Sequence, residues 1–430
     1  MSFPEDLSRA DLERRQLDRL REIVAGAAAQ NAFWQPRFKA AGLTAASLTS
    51  LADFHRLPTL QKADLVADQA AHPPYGTNLT QPVGAYTRLH QTSGTTTGQP
   101  LRWLDTPRNW SGLMECWRQI YRLMPLQPDE RCCFPFSFGP FLGFWAGFEA
   151  AMQQNRFVVA AGGLSSEARL QLIADNRITL VGCTPTYALR LAEVAAQKGF
   201  DLSKLGVRTI LVAGEPGGNI PAIRERIEAA WQADVVDHWG MTEVGPLGVT
   251  ADGSKQHLTI LETECIAEIL HPDRDEAVAA GEMGELVITT LCRPDSPVFR
   301  FRTGDFVRAA TDADPRGRSL LRLDGGILGR VDDMLIIRGN NVFPSSIEAV
   351  IREQAEIVEY RIVCTKHREM QHLRIEIEPT PDMPAAAVSE LTARLSHSLK
   401  DRLNFQAAVQ PVPCGSLPRF EMKARRLVRE

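Results

Sequence analysis

Four short runs rich in Val, Ile and Leu, at 156–161, 178–183, 209–213 and 234–237, constrain the fold of this chain most strongly. Each is followed by Gly, Pro or Thr and, in most cases, by a stretch with helical patterning. Such runs suit strands buried on both faces, and strands alternating with helices suit an α/β layer structure. From 265 to about 323 the texture changes: CIAEIL, ELVITTL and FVRAA are divided by Gly- and Asp-rich turns, the pattern of antiparallel strands. The segment Asp324-Gly325-Gly326-Ile327-Leu328-Gly329-Arg330 reads as a junction. Beyond it come a helix start at Pro344-Ser345-Ser346, strands near 358–364 and 373–377, a helix near 385–403 and a last strand near 407–412. The expectation is an α/β protein, with a large N-terminal domain of layered β-sheets and helices over 1–330 and a small α+β domain over 331–430.

Residues 1–90 look mainly helical. Ser8 and Asp11 resemble a capping box, and Leu17, Leu20, Ile23 and Val24 fall on one helix face. The N-terminus has no basic stretch leading into an apolar run, so no secretory signal is expected, and no apolar run is long enough for a membrane span. A net charge of −4 gives no global pull toward nucleic acid or an anionic membrane. The eight cysteines form no C-x-x-C pair, which fits reduced thiols in a cytoplasmic protein.

The densest cluster of small hydroxyl and glycine residues is Thr92-Ser93-Gly94-Thr95-Thr96-Thr97-Gly98. Glycines let the backbone approach a ligand closely, and N–H and hydroxyl groups can donate to anionic oxygens, so this loop could wrap a polyphosphate. It is not a Walker A loop: three residues separate its glycines, and Gln99 follows where that pattern needs Lys. On composition alone a polar surface turn fits equally well.

Three more segments could bear chemistry. In His238-Trp239-Gly240-Met241-Thr242-Glu243 a carboxylate beside a glycine turn could hold Mg²⁺, and the indole could stack on a base. The bland alternative is a core Trp beside a capping Thr. In Phe299-Arg300-Phe301-Arg302-Thr303-Gly304-Asp305 an Asp after a tight Gly turn could accept both hydrogen bonds of a ribose diol; in isolation a hairpin turn is the better reading. The stretch from Gly329 to Pro344 starts charged and continues apolar, as a junction leading into a second domain would.

In this order and spacing, the segments resemble the adenylate-forming superfamily of acyl-CoA synthetases, and within it the phenylacetate–CoA ligase family. The short length, the Asn-Val-Phe-Pro-Ser-Ser-Ile-Glu run and the ending Leu417-Pro418-Arg419-Phe420-Glu421-Met422-Lys423 are the specific signs. The resemblance implies that the loop from Thr92 to Gly98 closes on ATP phosphates, that Trp239 packs on adenine, and that Gly214, Glu215 and Pro216 line the adenine and acyl sites. It further implies Asp305 on the ribose, Arg330 on the nucleotide, Glu243 at the Mg²⁺ and, with Thr242, among the catalytic residues, Asp332 as the hinge of a mobile C-terminal lid, and Gly339 at the CoA channel. Lys423 would enter between the carboxylate and the α-phosphate, where a compact ammonium stabilises two anions brought together. Lys62 matches a position that can meet the phosphates; a surface lysine at a helix start is the alternative. His257, Cys265 and Cys292 lie where some members hold zinc, but a fourth ligand is not apparent.

The aromatic segment 134–145 suits a flat apolar ligand, with Phe136, Phe138 and Phe141 expected at an acyl pocket together with Thr184, Pro185, His238 and Gly240. A buried aromatic core is the alternative for half of it or more. The whole implies an ATP-dependent aryl-CoA ligase using ATP, Mg²⁺ and CoA on a small carboxylic acid, with no nucleic-acid or membrane partner, and a homodimer. A carrier-protein phosphopantetheine as acceptor, or a catalytically silent nucleotide-binding regulator, stays open at this point.

Overall fold

The computed structural model describes residues 3–92, 100–251, 254–337, 340–367, 370–405, 407–420 and 424–430. The chain divides into two compact units, Met1–Gly163 with Val236–Gly326, and Leu164–Val235 with Ile327–Glu430. The cut after Gly326 falls inside the expected junction, and the units are not consecutive in sequence.

In the first unit the N-terminal helix Arg9–Gln30 starts at Ser8, whose side chain accepts from the Asp11 amide. Leu12, Gln16, Leu20, Ile23, Val24 and Ala27 are buried, so the core stripe includes Gln16 while Leu17 stays half-buried. Gln16 is tolerated inside because its amide donates to the Glu262 and Cys265 carbonyls, both at 2.9 Å. Strand Asp234–Met241 is longer than expected and takes in His238, Trp239 and Gly240. It pairs antiparallel with Gly245–Val249, which pairs with His257–Ile260, which pairs with Arg322–Asp324. A second antiparallel set, Cys265–Leu270, Met283–Thr290 and Phe301–Arg308, matches the expected change of texture. The Gly304 expected in a tight turn lies inside its last strand at φ +76°, beside a register shift between Glu285 and Val287. It is a bulge glycine, and the bulge re-aims Asp305. Helix Pro107–Leu123 buries Trp110, Leu113, Met114, Trp117, Ile120 and Tyr121.

In the second unit, parallel strands Leu180–Cys183 and Thr209–Ala213 lie among helices Ser166–Asp175, Pro185–Lys198 and Pro221–Trp231, the expected alternation. Strands Ile357–His367 and Met370–Pro379 form a hairpin flanked by Ala408–Pro411 and Leu427–Arg429, each parallel to its neighbour. Their core joins Ile347, Ile351, Tyr360, Ile362, Ile375 and Ile377 to Leu391, Leu395 and Leu399 of helix Ala385–Leu403.

All eight cysteines are free. Among the described residues no helix is long and apolar enough to cross a membrane.

Candidate active site

In the first unit the expected phosphate loop is carried by a hairpin. Strands Arg88–Gln91 and Arg102–Asp105 pair antiparallel, with Gln91 opposite Arg102. Thr92 closes the neck: its amide donates to the Leu101 carbonyl at 2.9 Å and its hydroxyl accepts from the Leu101 amide at 3.0 Å. Its hydroxyl is therefore engaged in holding the neck. Ser93, Gly94, Thr95, Thr96, Thr97 and Gly98 lie outside the described residues.

Trp239 and Asp305, read from separate motifs, meet here. The indole Nε1–H donates to Asp305 Oδ2 at 2.9 Å, with both side chains buried. An apolar ring face and a carboxylate are thus fixed side by side, as a base and its ribose would need them. Gly240 follows at a register shift. A Cβ there would stand 2.7 Å from the Gly245 carbonyl oxygen, so close strand approach requires glycine.

Glu243 is 1% exposed. Lys62, the first residue of helix Lys62–Ala71, is half-buried and brings Nζ to 3.0 Å from Glu243 Oε1. The two charges compensate, but the approach is outside hydrogen-bond geometry and leaves Oε1 without a donor among the described residues. A sealed carboxylate oxygen lacking a donor fits a hard cation coordinated through one carboxylate and phosphate oxygens. The Thr242 carbonyl accepts from Arg293, a residue that sequence reading did not single out.

His238 Nδ1 lies 2.7 Å from the Gly248 carbonyl oxygen. A carbonyl only accepts, so Nδ1 carries the proton and Nε2 holds the lone pair. Burial pushes the ring pKa down to about 4, so the imidazole is neutral at pH 7. It packs against Trp117 with centroids 4.6 Å apart.

The aromatic segment splits between core and cavity. Phe136 packs edge-on against Phe144. Phe138 lines a cavity of about 520 Å³ with Ser137, Gly139, Trp145, Phe148, Ala160, Gly162 and Gly163. Phe136, Phe141, His238 and Gly240 do not line it. Trp145 ends the expected aromatic segment, whereas Phe148 lies beyond it and was missed; the i, i+3 spacing of the two on helix Gly143–Gln153 was the available signal. Trp145 is held by its Nε1–H, which donates to the Phe138 carbonyl at 3.0 Å. His257 sits near Asp312 and Asp324 at 3.3 and 3.9 Å, whereas the Cys265 thiol donates to the Leu261 carbonyl. Among the described residues no group of three His, Cys, Asp or Glu side chains could hold a metal.

In the second unit Thr184 caps helix Pro185–Lys198, its hydroxyl accepting from the Tyr187 amide at 3.1 Å, with Pro185 at the first helical position. Gly214, at φ +94°, opens the loop of Glu215 and Pro216. Glu215 accepts from the Thr186 amide at 2.9 Å and from the Ala424 amide at 2.7 Å. Burial pushes its pKa up, against the pull of those two bonds and of Arg426. Arg426 grips Glu359 at 2.7 and 3.1 Å and reaches the Thr186 hydroxyl at 3.1 Å. The tail is thus anchored at Ala424 and Arg426, immediately after Lys423, which itself lies outside the described residues, as does Gly339. Arg330 and Asp332 approach at 3.4 Å, and the Asp332 carbonyl accepts from Arg429 at 3.1 Å.

Residues 55–292 match the model of the AMP-binding enzyme family, and 339–430 match that of the AMP-binding enzyme C-terminal domain. The chain is 30% identical to the phenylacetate-coenzyme A ligase of Escherichia coli (strain K12), over 97% of this chain and 94% of that one. It is 29% identical to the phenylacetate-coenzyme A ligase of Thermus thermophilus, over 97% and 96%. Among solved structures it resembles 2-hydroxyisobutyryl-CoA ligase in complex with R3-HIB-AMP, with a TM-score of 0.93 at 29% identity over 99% of this chain and 91% of that one.

Proposed function

The chain belongs to the AMP-binding enzyme family, and from that premise we propose that it is an ATP-dependent carboxylic acid–CoA ligase acting on an aromatic acid. The acid oxygen attacks the α-phosphorus of ATP; the bond to the β-phosphate breaks and pyrophosphate leaves. The CoA thiol then attacks the acyl carbon of the adenylate, forming the thioester and releasing AMP. The pairing of Trp239, on the strand that leads to Glu243, with Asp305 is the observation that best supports this reading.

In it, Trp239 packs on adenine, Asp305 accepts from the ribose hydroxyls, and Arg330, Gly214, Glu215 and Pro216 border the nucleotide. The loop from Thr92 to Gly98 covers the phosphates. Mg²⁺, when bound through Glu243, neutralises charge on the phosphate oxygens. Lys423 stabilises the charge that gathers where carboxylate meets α-phosphate. Thr184, Pro185, His238, Gly240 and the Phe-rich segment border the acid. Residues 331–430 act as a lid about Asp332 that brings the region of Gly339 toward the CoA channel. A homodimer in the cytoplasm completes the proposal.

The test is pyrophosphate release over a panel of benzoates, hydroxybenzoates, aminobenzoates, phenylacetate and 2-hydroxyisobutyrate, with and without CoA. Aromatic acids should release pyrophosphate, and CoA should convert the adenylate to a thioester. Release only with 2-hydroxyisobutyrate would reject the aromatic assignment. Release from no acid would reject the ligase reading. Lys423→Ala should slow adenylation by roughly 10²–10³-fold, as loss of one transition-state charge partner does, while sparing thioester formation from preformed adenylate. Equal losses in both half-reactions would remove Lys423 from its role.

A further inference from the structure

We propose that Arg293 is a positioning residue that locks the turn bearing Glu243 to the hairpin bearing the phosphate loop. The inference rests on the reading of Glu243 given above.

The Arg293 and Asp105 side chains are both 0% exposed. Nε donates to Asp105 Oδ1 at 2.9 Å and Nη2 to Oδ2 at 2.6 Å, a two-pronged pair. The remaining arm, Nη1, donates to the Thr242 carbonyl, one residue before Glu243. Asp105 ends the hairpin strand opposite Arg88, and the neck of the phosphate loop closes at Thr92 and Leu101 on the same hairpin. His90, on the partner strand, puts Nδ1 3.6 Å from Asp105 Oδ2 and stacks on Trp110. One guanidinium therefore bridges the turn that bears Glu243 and the hairpin that carries the phosphate loop, at the end of that hairpin away from its neck.

The backbone around Arg293 is held as firmly. A Cβ on Gly112 of helix Pro107–Leu123 would stand 2.0 Å from the Cys292 carbonyl oxygen, so helix and segment are in direct backbone contact. Asn109 Oδ1 accepts from the Asp295 amide at 3.0 Å, the Thr106 hydroxyl donates to Asp295 Oδ2 at 2.6 Å, and Asn109 Nδ2 donates to the Ser296 hydroxyl at 2.9 Å. Stability alone does not explain such a device. Apolar residues of similar volume commonly replace a buried ion pair without loss, because desolvation offsets the attraction. What apolar residues cannot do is donate to the Thr242 carbonyl while gripping Asp105, and a lysine lacks the planar fork needed to do both.

Two variants separate positioning from packing. Arg293→Met combined with Asp105→Leu removes both charges and leaves neither unpaired. Arg293→Lys keeps the charge and loses the fork. The readouts are melting temperature, the Kd of ATP with and without Mg²⁺ by calorimetry, and the Mg²⁺ dependence of acid-dependent pyrophosphate exchange. We expect near-normal ATP binding without metal, and a loss of roughly 10–100-fold in the tightening that Mg²⁺ confers, the usual scale for residues behind a metal ligand. Wild-type tightening by Mg²⁺ in a folded variant would overturn the proposal, even if its melting temperature fell. Should the double variant not fold, Arg293→Lys decides by the same reading. If the wild-type protein binds Mg²⁺·ATP but exchanges with no acid, the ligase reading falls, whereas the binding comparison still decides the role of Arg293.

Discussion

His238 illustrates how a single buried group couples the site to stability. Its ordinary pKa is 6.5, and burial lowers it to about 4 in the fold. The unfolded chain thus takes up a proton between those values while the folded chain does not. The stabilisation from a neutral His238 is complete above about pH 6.5 and is lost progressively as pH falls toward 4, by up to about 3 kcal/mol. His238→Gln keeps a donor for the Gly248 carbonyl and cannot titrate. Its melting temperature should fall slightly at pH 7 through poorer packing on Trp117, but should decline less steeply than wild type from pH 6.5 to 4. Parallel declines in the two proteins would show that His238 does not set the acid slope. The neutral imidazole also leaves Nε2 an acceptor at working pH, so any polar contact it makes to an acid must be with a hydroxyl or amino donor.

At the scale of elements, close backbone approach is concentrated where helix Pro107–Leu123 meets segment 292–296. Gly112→Ala tests it. In a helix alanine is ordinarily favoured over glycine by up to ~1 kcal/mol. Here the added methyl meets a carbonyl oxygen at 2.0 Å, and overpacking against backbone outweighs that gain for a net loss of about 2 kcal/mol. A denaturant midpoint equal to or above wild type would contradict the contact. The legibility of elements follows the range of the interactions that make them. Strand Thr209–Ala213 and helix Ala385–Leu403 were readable because local pattern suffices. Strand Leu427–Arg429 was not, since its charged tail becomes a strand only by pairing with Ile357–His367. Gly304 read as a turn because a bulge glycine and a turn glycine share one local signal. The motif residues Trp239, Asp305 and Glu243 could be named in sequence, but the Lys62 and Arg293 contacts could not, as nothing local marks a charge's distant partner.

For the whole molecule, the two half-reactions make opposing demands on one carboxyl group. On the role proposed for Lys423, adenylation wants its ammonium beside the carboxylate, and thioester formation wants a thiol to reach that same acyl group. On the proposal that 331–430 move as a lid, one rotation about Asp332 answers both. Asp332 lies in the short 3₁₀ turn Val331–Asp333, soon after Gly325 and Gly326 at φ +71° and +67°. Proline at 332 fixes φ near −65°, a value that a 3₁₀ turn accepts, and narrows the backbone states open to the turn and to Val331 before it. Asp332→Pro should therefore retain acid-dependent pyrophosphate exchange to within a few-fold while thioester formation, followed in single turnover from preformed adenylate, falls by roughly 10²-fold, the pattern of an impaired gating step. The contrast with Lys423→Ala, which should lose exchange and keep transfer, makes the pair diagnostic. If Asp332→Pro slows both half-reactions alike, or neither, the hinge is elsewhere and the lid assignment fails with it.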